Sequence, residues 1–430
     1  MNYEQAIHYI HDTYKFGSKY GLENIRLLLE GIDNPQDELR FIHIAGTNGK
    51  GSTASFIAYA LMEAGYKVGT YFSPYLERFN ERIQINCMPI GDEDLARHTG
   101  IVKKSVDAML EKGCDHPTEF EIVTSVGFDY FHAQQVDIVV LEVGLGGRLD
   151  STNVIKSPLA SVIVPLALDH VQYLGDTIDK IAYEKAGIIK EGCPVVTTVQ
   201  EEDALEVIIA KADAVGAPYH YSDYRTVKNT QLSRSATTFT YKDVDFKIRL
   251  LGEHQIQNAC TAFDTLSILN EGKQIQIDVK NILDGFDKTR WMGRVEQVSD
   301  NPVVIIDAAH NLHGVQSLVK AIETYQPEGS RIAIFGMMAD KAVSDVVGEI
   351  IGKFEKIYLV EPDNPRAMKT SELKSEIEKA GFGGEIVELD RVSDAVEVIK
   401  SYKNKEVNIY CFGSLYYIGE VRKVLTSEAF

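Results

Sequence analysis

A β-type run at residues 40–45, Arg-Phe-Ile-His-Ile-Ala, passes directly into Gly46-Thr47-Asn48-Gly49-Lys50-Gly51-Ser52-Thr53, and a helical pattern follows. Few local sequences constrain a chain more. Glycines let successive backbone N–H groups curl around phosphate oxygens, the helix N-terminus adds a positive dipole end, and a lysine brings mobile charge to the outer phosphates. The expected ligand is a nucleoside triphosphate, with the hydroxyl of Ser52 or Thr53 facing magnesium. The spacing departs from the common phosphate-loop pattern, since Gly46 lies only three positions before Gly49 and Gly51 separates Lys50 from the hydroxyl residues. That departure weakens a generic GTPase or kinase reading.

Around this loop, short β-type runs alternate with helical patterns, the signature of βαβ units and a mostly parallel sheet. Strands are expected at 40–45, 136–143, 159–164 and 194–198, with helices over 52–64, 119–133 and 178–189 between them. Residues 219–250, rich in Thr and Tyr, suggest an antiparallel hairpin, and a helix is expected from about His254 to Leu269. A second βαβ series has strands at 303–306, 331–335, 356–360, 385–389 and 407–412. The fold class is therefore α/β: a P-loop NTPase-type, mostly parallel sheet domain at 1–293, then a smaller Rossmann-like α/β domain at 294–430. The boundary is expected near Trp291 to Gln297, and no internal repeat is visible.

Charge and cysteine usage exclude several classes. With 44 Lys+Arg against 63 Asp+Glu the formal charge is −19, which argues against a general nucleic-acid or anionic-membrane binder. The five cysteines are dispersed and form no Cys-x-x-Cys pair, so neither a disulfide framework nor a thiolate zinc site is indicated. The N-terminus lacks a basic stretch leading into an apolar one. The most apolar run, 159–168, is far short of a membrane span and contains Pro165. A cytoplasmic monomer is expected.

Two polar strand ends stand beside the phosphate loop. The apolar run 136–141 ends in Glu142-Val143-Gly144-Leu145-Gly146-Gly147-Arg148-Leu149-Asp150, and the run 159–168 ends in Asp169-His170. In open α/β sheets ligands bind at the carboxyl ends of parallel strands, so Glu142 is placed to hold magnesium directly or through water. Gly144, Gly146 and Gly147 do not satisfy Gly-x-Gly-x-x-Gly, which removes a dinucleotide reading.

Taken together and in order, the motifs resemble the folylpolyglutamate synthase/dihydrofolate synthase family, within the Mur-type ATP-dependent amide ligases. They are residues 45–52; Ser73-Pro-Tyr-Leu76 with Asn80-Glu-Arg82; Phe120-Glu121; 141–150 with Thr152-Asn153; Ala167-Leu-Asp-His170; Glu184-Lys-Ala-Gly-Ile188; Gly293-Arg294; Asp307-Ala-Ala-His-Asn311; and Asp340-Lys341. The resemblance spans nearly the whole chain and implies an active site in the cleft between the two domains. It also implies an ADP-forming reaction in which the γ-phosphoryl group of ATP activates a folate carboxylate as an acyl phosphate, which the amine of L-glutamate then attacks. ATP and Mg2+ are implied, with a monovalent cation such as K+ as a further candidate.

Residue by residue, the resemblance implies magnesium positions at Ser73, Glu142 and His170. It implies phosphate contacts from Thr47, Asn48, Gly49, Lys50, Gly51 and Ser52, and further ATP contacts from Asn258, Arg294 and Asp307. Lys185 matches a lysine that relatives carry as a carbamate. Lys50, Lys185, His170 and His310 are the catalytic candidates. Arg82 and Lys341 suit substrate carboxylates, Phe120 and Glu121 suit a flat pterin ring bearing N–H donors, and Asp150, Ser151 and Thr152 join the substrate set. Blander readings stand beside these. Lys185 could be a solvated helix lysine, Asn258 a helix-face amide, Asp307 a strand-end charge, Phe120 plain core, and His310 a cap for the helix after Asn311.

Some members of the family also join dihydropteroate to its first glutamate, and others only extend the glutamate chain. Asp150-Ser151-Thr152 differs from the Asp-Ala-Thr of many bifunctional members, which weakens the dual reading slightly without settling it. A Mur-type ligase acting on a cell-wall precursor is the alternative, but it would be expected to carry a nucleotide-sugar domain ahead of the phosphate loop. A GTPase-type switch would be expected to carry Asn-Lys-x-Asp for base recognition, and that motif is absent.

Overall fold

Eight strands build the first sheet: β1 (Phe41–Ala45), β2 (Val68–Tyr71), β3 (Ile83–Ile85), β4 (Met88–Pro89), β5 (Ile138–Glu142), β6 (Ala160–Ile163), β7 (Val195–Thr198) and β8 (Tyr219–Ser222). Their order is β4-β3-β2-β5-β1-β6-β7-β8, and all neighbours from β2 to β8 pair in parallel. Every residue of β1, β2, β5, β6 and β7 is buried. Parallel strands covered on both faces read as largely apolar runs, which made β1, β5, β6 and β7 legible, whereas β2, Val-Gly-Thr-Tyr, carries no such run and was not expected. The computed structural model describes residues 1–13, 21–325 and 329–427.

The helix Lys50–Glu63 begins directly after the phosphate loop and is buried on nearly all sides, from Gly51 through Leu61. One of its covers is the helix Val279–Lys288, which approaches so closely that a Cβ on Gly285 would lie 2.5 Å from the Ala60 Cα. Only glycine fits that crossing. Phe56 and Phe286 fill the space beside it, with ring centroids 4.9 Å apart. The packing fixes the helix whose N-terminus faces the site.

In the other unit, β9 (Lys228–Leu232), β10 (Thr237–Tyr241) and β11 (Val244–Ile248) form an antiparallel sheet. A six-stranded sheet follows: β12 (Glu296–Asp300), β13 (Val303–Asp307), β14 (Ser330–Phe335), β15 (Lys356–Leu359), β16 (Glu385–Glu388) and β17 (Val407–Phe412), in the order β12-β13-β17-β14-β15-β16. All its neighbours are parallel except β12, an antiparallel edge strand on β13.

Two expectations need correction. Tyr219–Ser222 is not part of the antiparallel hairpin. It follows the crossover helix Glu202–Ala214, and that connection delivers it parallel to β7. Secondly, the chain divides into Met1–Thr226 with Gln257–Thr289, and Val227–Ile256 with Arg290–Phe430, so residues 227–256 fall with the C-terminal unit. Three contacts tie them there: Gly252 N–H donates to the Tyr325 hydroxyl at 2.8 Å, Arg234 donates to the Tyr325 carbonyl, and Lys320 pairs with Glu253.

Candidate active site

In the first unit, β2, β5, β1 and β6 are consecutive parallel neighbours, so their carboxyl ends share one edge. Ser73 follows β2, Glu142 ends β5, the phosphate loop follows β1, and Asp169 and His170 follow β6. At about 4.8 Å between strands, the four segments fall in a row roughly 15 Å wide. The topology thus gathers residues that lie far apart in the chain.

Neighbouring side chains shape the loop. A Cβ at Gly46 would sit 2.1 Å from Val164 Cγ2, and one at Gly49, where φ is +93°, would sit 2.4 Å from Asn258 Oδ1. Asn258 therefore lies against the loop. Thr47 and Asn48 N–H both donate to the Pro165 carbonyl, at 2.9 and 3.4 Å, and the Thr47 hydroxyl exchanges hydrogen bonds with the Ala167 backbone. These two amides anchor the loop to the continuation of β6. The first-turn amides of Lys50, Gly51 and Ser52 lack intrahelical acceptors and point from a helix N-terminus, a geometry that suits an anion.

Two lysines converge on one carbonyl. Lys50 Nζ donates to the Gly46 and Thr47 carbonyls, each at 3.1 Å, and lies 3.8 Å from Glu142 Oε1. Lys185, only 5% exposed, donates to the same Gly46 carbonyl at 2.9 Å. Burial, with Lys50 adding repulsion, pushes the Lys185 amine down to about 7, against the opposing pull of Asp169 and Asp150. It is no solvated helix lysine.

Glu142 is 5% exposed, and among the described residues no group of three or more His, Cys, Asp or Glu could hold a metal. A carboxylate and a serine hydroxyl beside a phosphate site are oxygen donors that suit Mg2+, which takes most of its ligands from water and substrate phosphates. The donor set fits an ion arriving with the nucleotide better than a resident caged one.

The remaining candidates separate. Phe120 lies over the strand-end glycines, since a Cβ at Gly144 would meet its ring at 2.4 Å, and it packs edge-on to Tyr71. Glu121 is the N3 member of a capping box: its carboxylate accepts from Thr118 N–H at 2.7 Å and from the Thr118 hydroxyl at 3.0 Å. Asp150 caps the turn Ser151–Val154 and accepts from Leu145 N–H at 2.8 Å, while Thr152 bonds the wholly buried His43 at 2.9 Å. Burial holds His43 near 3, hence neutral, and raises the Asp150 carboxyl. Sequence reasoning missed His43, a polar residue hidden within an apolar strand. Arg82 faces the Phe79 and Tyr75 rings and pairs with Glu119 at 3.4 Å.

In the second unit Asp307 Oδ2 accepts from Val295 N–H at 2.8 Å and Oδ1 from Ala309 N–H at 2.7 Å. Burial raises its carboxyl, and Arg294 pulls it back down. His310 Nδ1 meets the Ala308 carbonyl at 2.8 Å, and it is the Asn311 side chain that takes the helix-capping bond, from Gly314 N–H. Lys341 lies beyond β14, in the same turn as the Asp340–Arg366 ion pair.

A phosphate loop on a parallel sheet, with a second Rossmann-like unit bearing a buried aspartate beside an arginine, defines an ATP-dependent ligase of the Mur type. Residues 44–266 match the Mur ligase middle domain, and residues 293–415 match the Mur ligase, glutamate ligase domain. The chain is 37% identical to the dihydrofolate synthase/folylpolyglutamate synthase of Bacillus subtilis (strain 168), over 98% of this chain and 99% of that protein. The solved structure of Mycobacterium tuberculosis folylpolyglutamate synthase complexed with ADP and AMPPCP matches with a TM-score of 0.89 at 26% identity, over 99% of both chains. E. coli FolC in complex with DHPP and ADP matches with a TM-score of 0.87 at 25% identity, over 99% of this chain and 98% of that one. The chain belongs to the folylpolyglutamate synthase/dihydrofolate synthase family. Among the described residues no helix is long and apolar enough to cross a membrane.

Proposed function

We propose that the protein joins L-glutamate to the terminal carboxylate of a folate, converting ATP to ADP and phosphate, as a monomer in the cytoplasm. The observation that carries this is the meeting of Lys50, Lys185 and Glu142 around one phosphate loop. A carboxylate is a poor electrophile. Its oxygen first attacks the γ-phosphorus and ADP leaves. The glutamate amine then attacks the acyl carbon, and phosphate departs with its bonding pair as the amine loses a proton. Lys50 balances charge on the outer phosphates while the first-turn amides of the helix Lys50–Glu63 receive the inner ones. Mg2+ brought with the nucleotide supplies charge neutralisation between two anions, and Glu142, Ser73 and His170 are the residues that would hold it. Asn258, Arg294 and Asp307 complete the ATP contacts, with Phe120 against the pterin and Arg82 and Lys341 toward substrate carboxylates. A monovalent cation such as K+ is a further candidate that the family resemblance alone supports. Dihydropteroate belongs to the same acceptor class, in keeping with the paired activities in the name of the B. subtilis relative. The test is whether ADP release requires both an acceptor and L-glutamate.

Lys185 carries the proposed carbamate. Only an uncharged amine attacks carbon dioxide, forming the N–C bond and releasing a proton. A lysine brought down to about 7 is about half uncharged at neutral pH, whereas an ordinary one is almost wholly charged. With 13C-labelled bicarbonate, a carbamate NMR signal absent from Lys185→Met is expected to grow as pH rises from about 6 to about 8. Identical spectra from wild type and variant across that range would remove the assignment.

A further inference from the structure

Residues 293–296 form a turn that departs from ordinary backbone geometry. Gly293 has φ +68° and Val295 φ +44°. Glycine adopts that region freely, but a β-branched valine there is a genuine outlier and persists only where its surroundings over-determine it. Several contacts do so. Val295 N–H donates to Asp307 Oδ2 at 2.8 Å, Ala308 N–H donates to the Gly293 carbonyl at 2.9 Å, and Gly293 N–H donates to Glu296 Oε2 at 2.7 Å. The valine side chain is itself in the core with Val315, Phe335 and Phe412. Between these fixed points stands Arg294, whose Nη1 donates to the Gly293 carbonyl at 3.1 Å.

The Glu296 carboxylate is held in turn from the far end of the chain. Arg422, on the helix Leu415–Ser427, places Nε 3.0 and 3.1 Å from the two carboxylate oxygens and Nη2 2.9 Å from Oε1. Both side chains are sheltered, 18% exposed for Arg422 and 23% for Glu296. A forked, partly buried pair is directional, and it fixes where the carboxylate points. One oxygen of that carboxylate is the acceptor that closes the arginine turn.

We propose that Arg422 and Glu296 are positioning residues for Arg294: the pair locks the Gly293–Val295 turn and so aims the guanidinium beside Asp307. This rests on the reading of Arg294 as an ATP contact. The competing role is mere attachment of the C-terminal helix to the edge strand β12. The two make different demands on Glu296. Attachment needs only opposite charges at 296 and 422, whereas the positioning role needs a carboxylate at 296 to accept from Gly293 N–H.

The experiment measures the ATP KM in ADP release, together with the melting temperature, on the full-length protein. Arg294→Ala is expected to raise the ATP KM about a hundredfold and Arg422→Met about tenfold, with the double variant no worse than Arg294→Ala. The exchanged pair Glu296→Arg with Arg422→Glu is expected to recover melting temperature relative to Arg422→Met while leaving the ATP KM raised. Additive effects in the double variant would overturn the positioning role, as would recovery of the ATP KM in the exchanged pair. A wild-type KM in Arg422→Met alongside a raised KM in Arg294→Ala overturns the positioning role alone. A wild-type KM in Arg294→Ala overturns the ATP contact and the inference with it.

Discussion

Lys50→Ala is expected to lower turnover about a thousandfold, equivalent to about 4 kcal/mol of lost transition-state stabilisation. The lysine bridges the loop carbonyls at 3.1 Å and the Glu142 carboxylate at 3.8 Å, which on the ligase reading proposed above puts its charge beside the outer phosphates. Lys185 cannot substitute for it. Its amine, brought down to about 7, holds only part of a positive charge at neutral pH and is tied to the Gly46 carbonyl, and the proposed carbamate would make it an anion. Alanine is a good helix former at the first position of the helix Lys50–Glu63, so the fold should persist with a near-native melting temperature. Single-turnover ADP release together with thermal melting checks this. Activity within about tenfold of wild type in a folded variant would mean that the lysine does not serve the phosphates.

Glu142→Ala is expected to cost turnover about a hundredfold or more, with a different signature. Glu142 is the buried end of β5, opposite Ile44 of β1, and the donor best suited to a hard cation at that edge. Its loss should raise the magnesium concentration needed for half-maximal rate, and excess magnesium should recover part of the activity. Lys50→Ala should show no such recovery. A magnesium titration of both variants distinguishes the two roles. Unchanged magnesium dependence in Glu142→Ala would move the metal away from this carboxylate.

Much of this site was legible because its signals are local. The phosphate loop declares itself through glycines, a lysine and the apolar strand before it, and Glu142 through its place at the end of five consecutively buried residues. Other features depend on partners that no local window contains. Thr47 and Asn48 N–H are drawn to the Pro165 carbonyl because β1 and β6 are neighbours, a tie that the loop sequence does not announce. Glu121 is a counterexample. Thr118-x-x-Glu121 is a readable capping box, and the carboxylate expected beside the pterin also sits in that cap. The edge strand β12 was hidden by its polar sequence, Glu-Gln-Val-Ser-Asp. Glu296 and Arg422, 126 residues apart, become a pair only once the C-terminal helix folds back on the sheet.

Coupled ADP release from the purified protein with ATP and Mg2+ tests the central claim most directly. Reduced monoglutamyl folate or dihydropteroate serves as acceptor, each with and without L-glutamate, and products are weighed by mass spectrometry. The ligase reading predicts ADP release only when acceptor and L-glutamate are both present, with one glutamyl residue added per ADP. ADP released at the same rate without either partner, or without any glutamyl product, would contradict it.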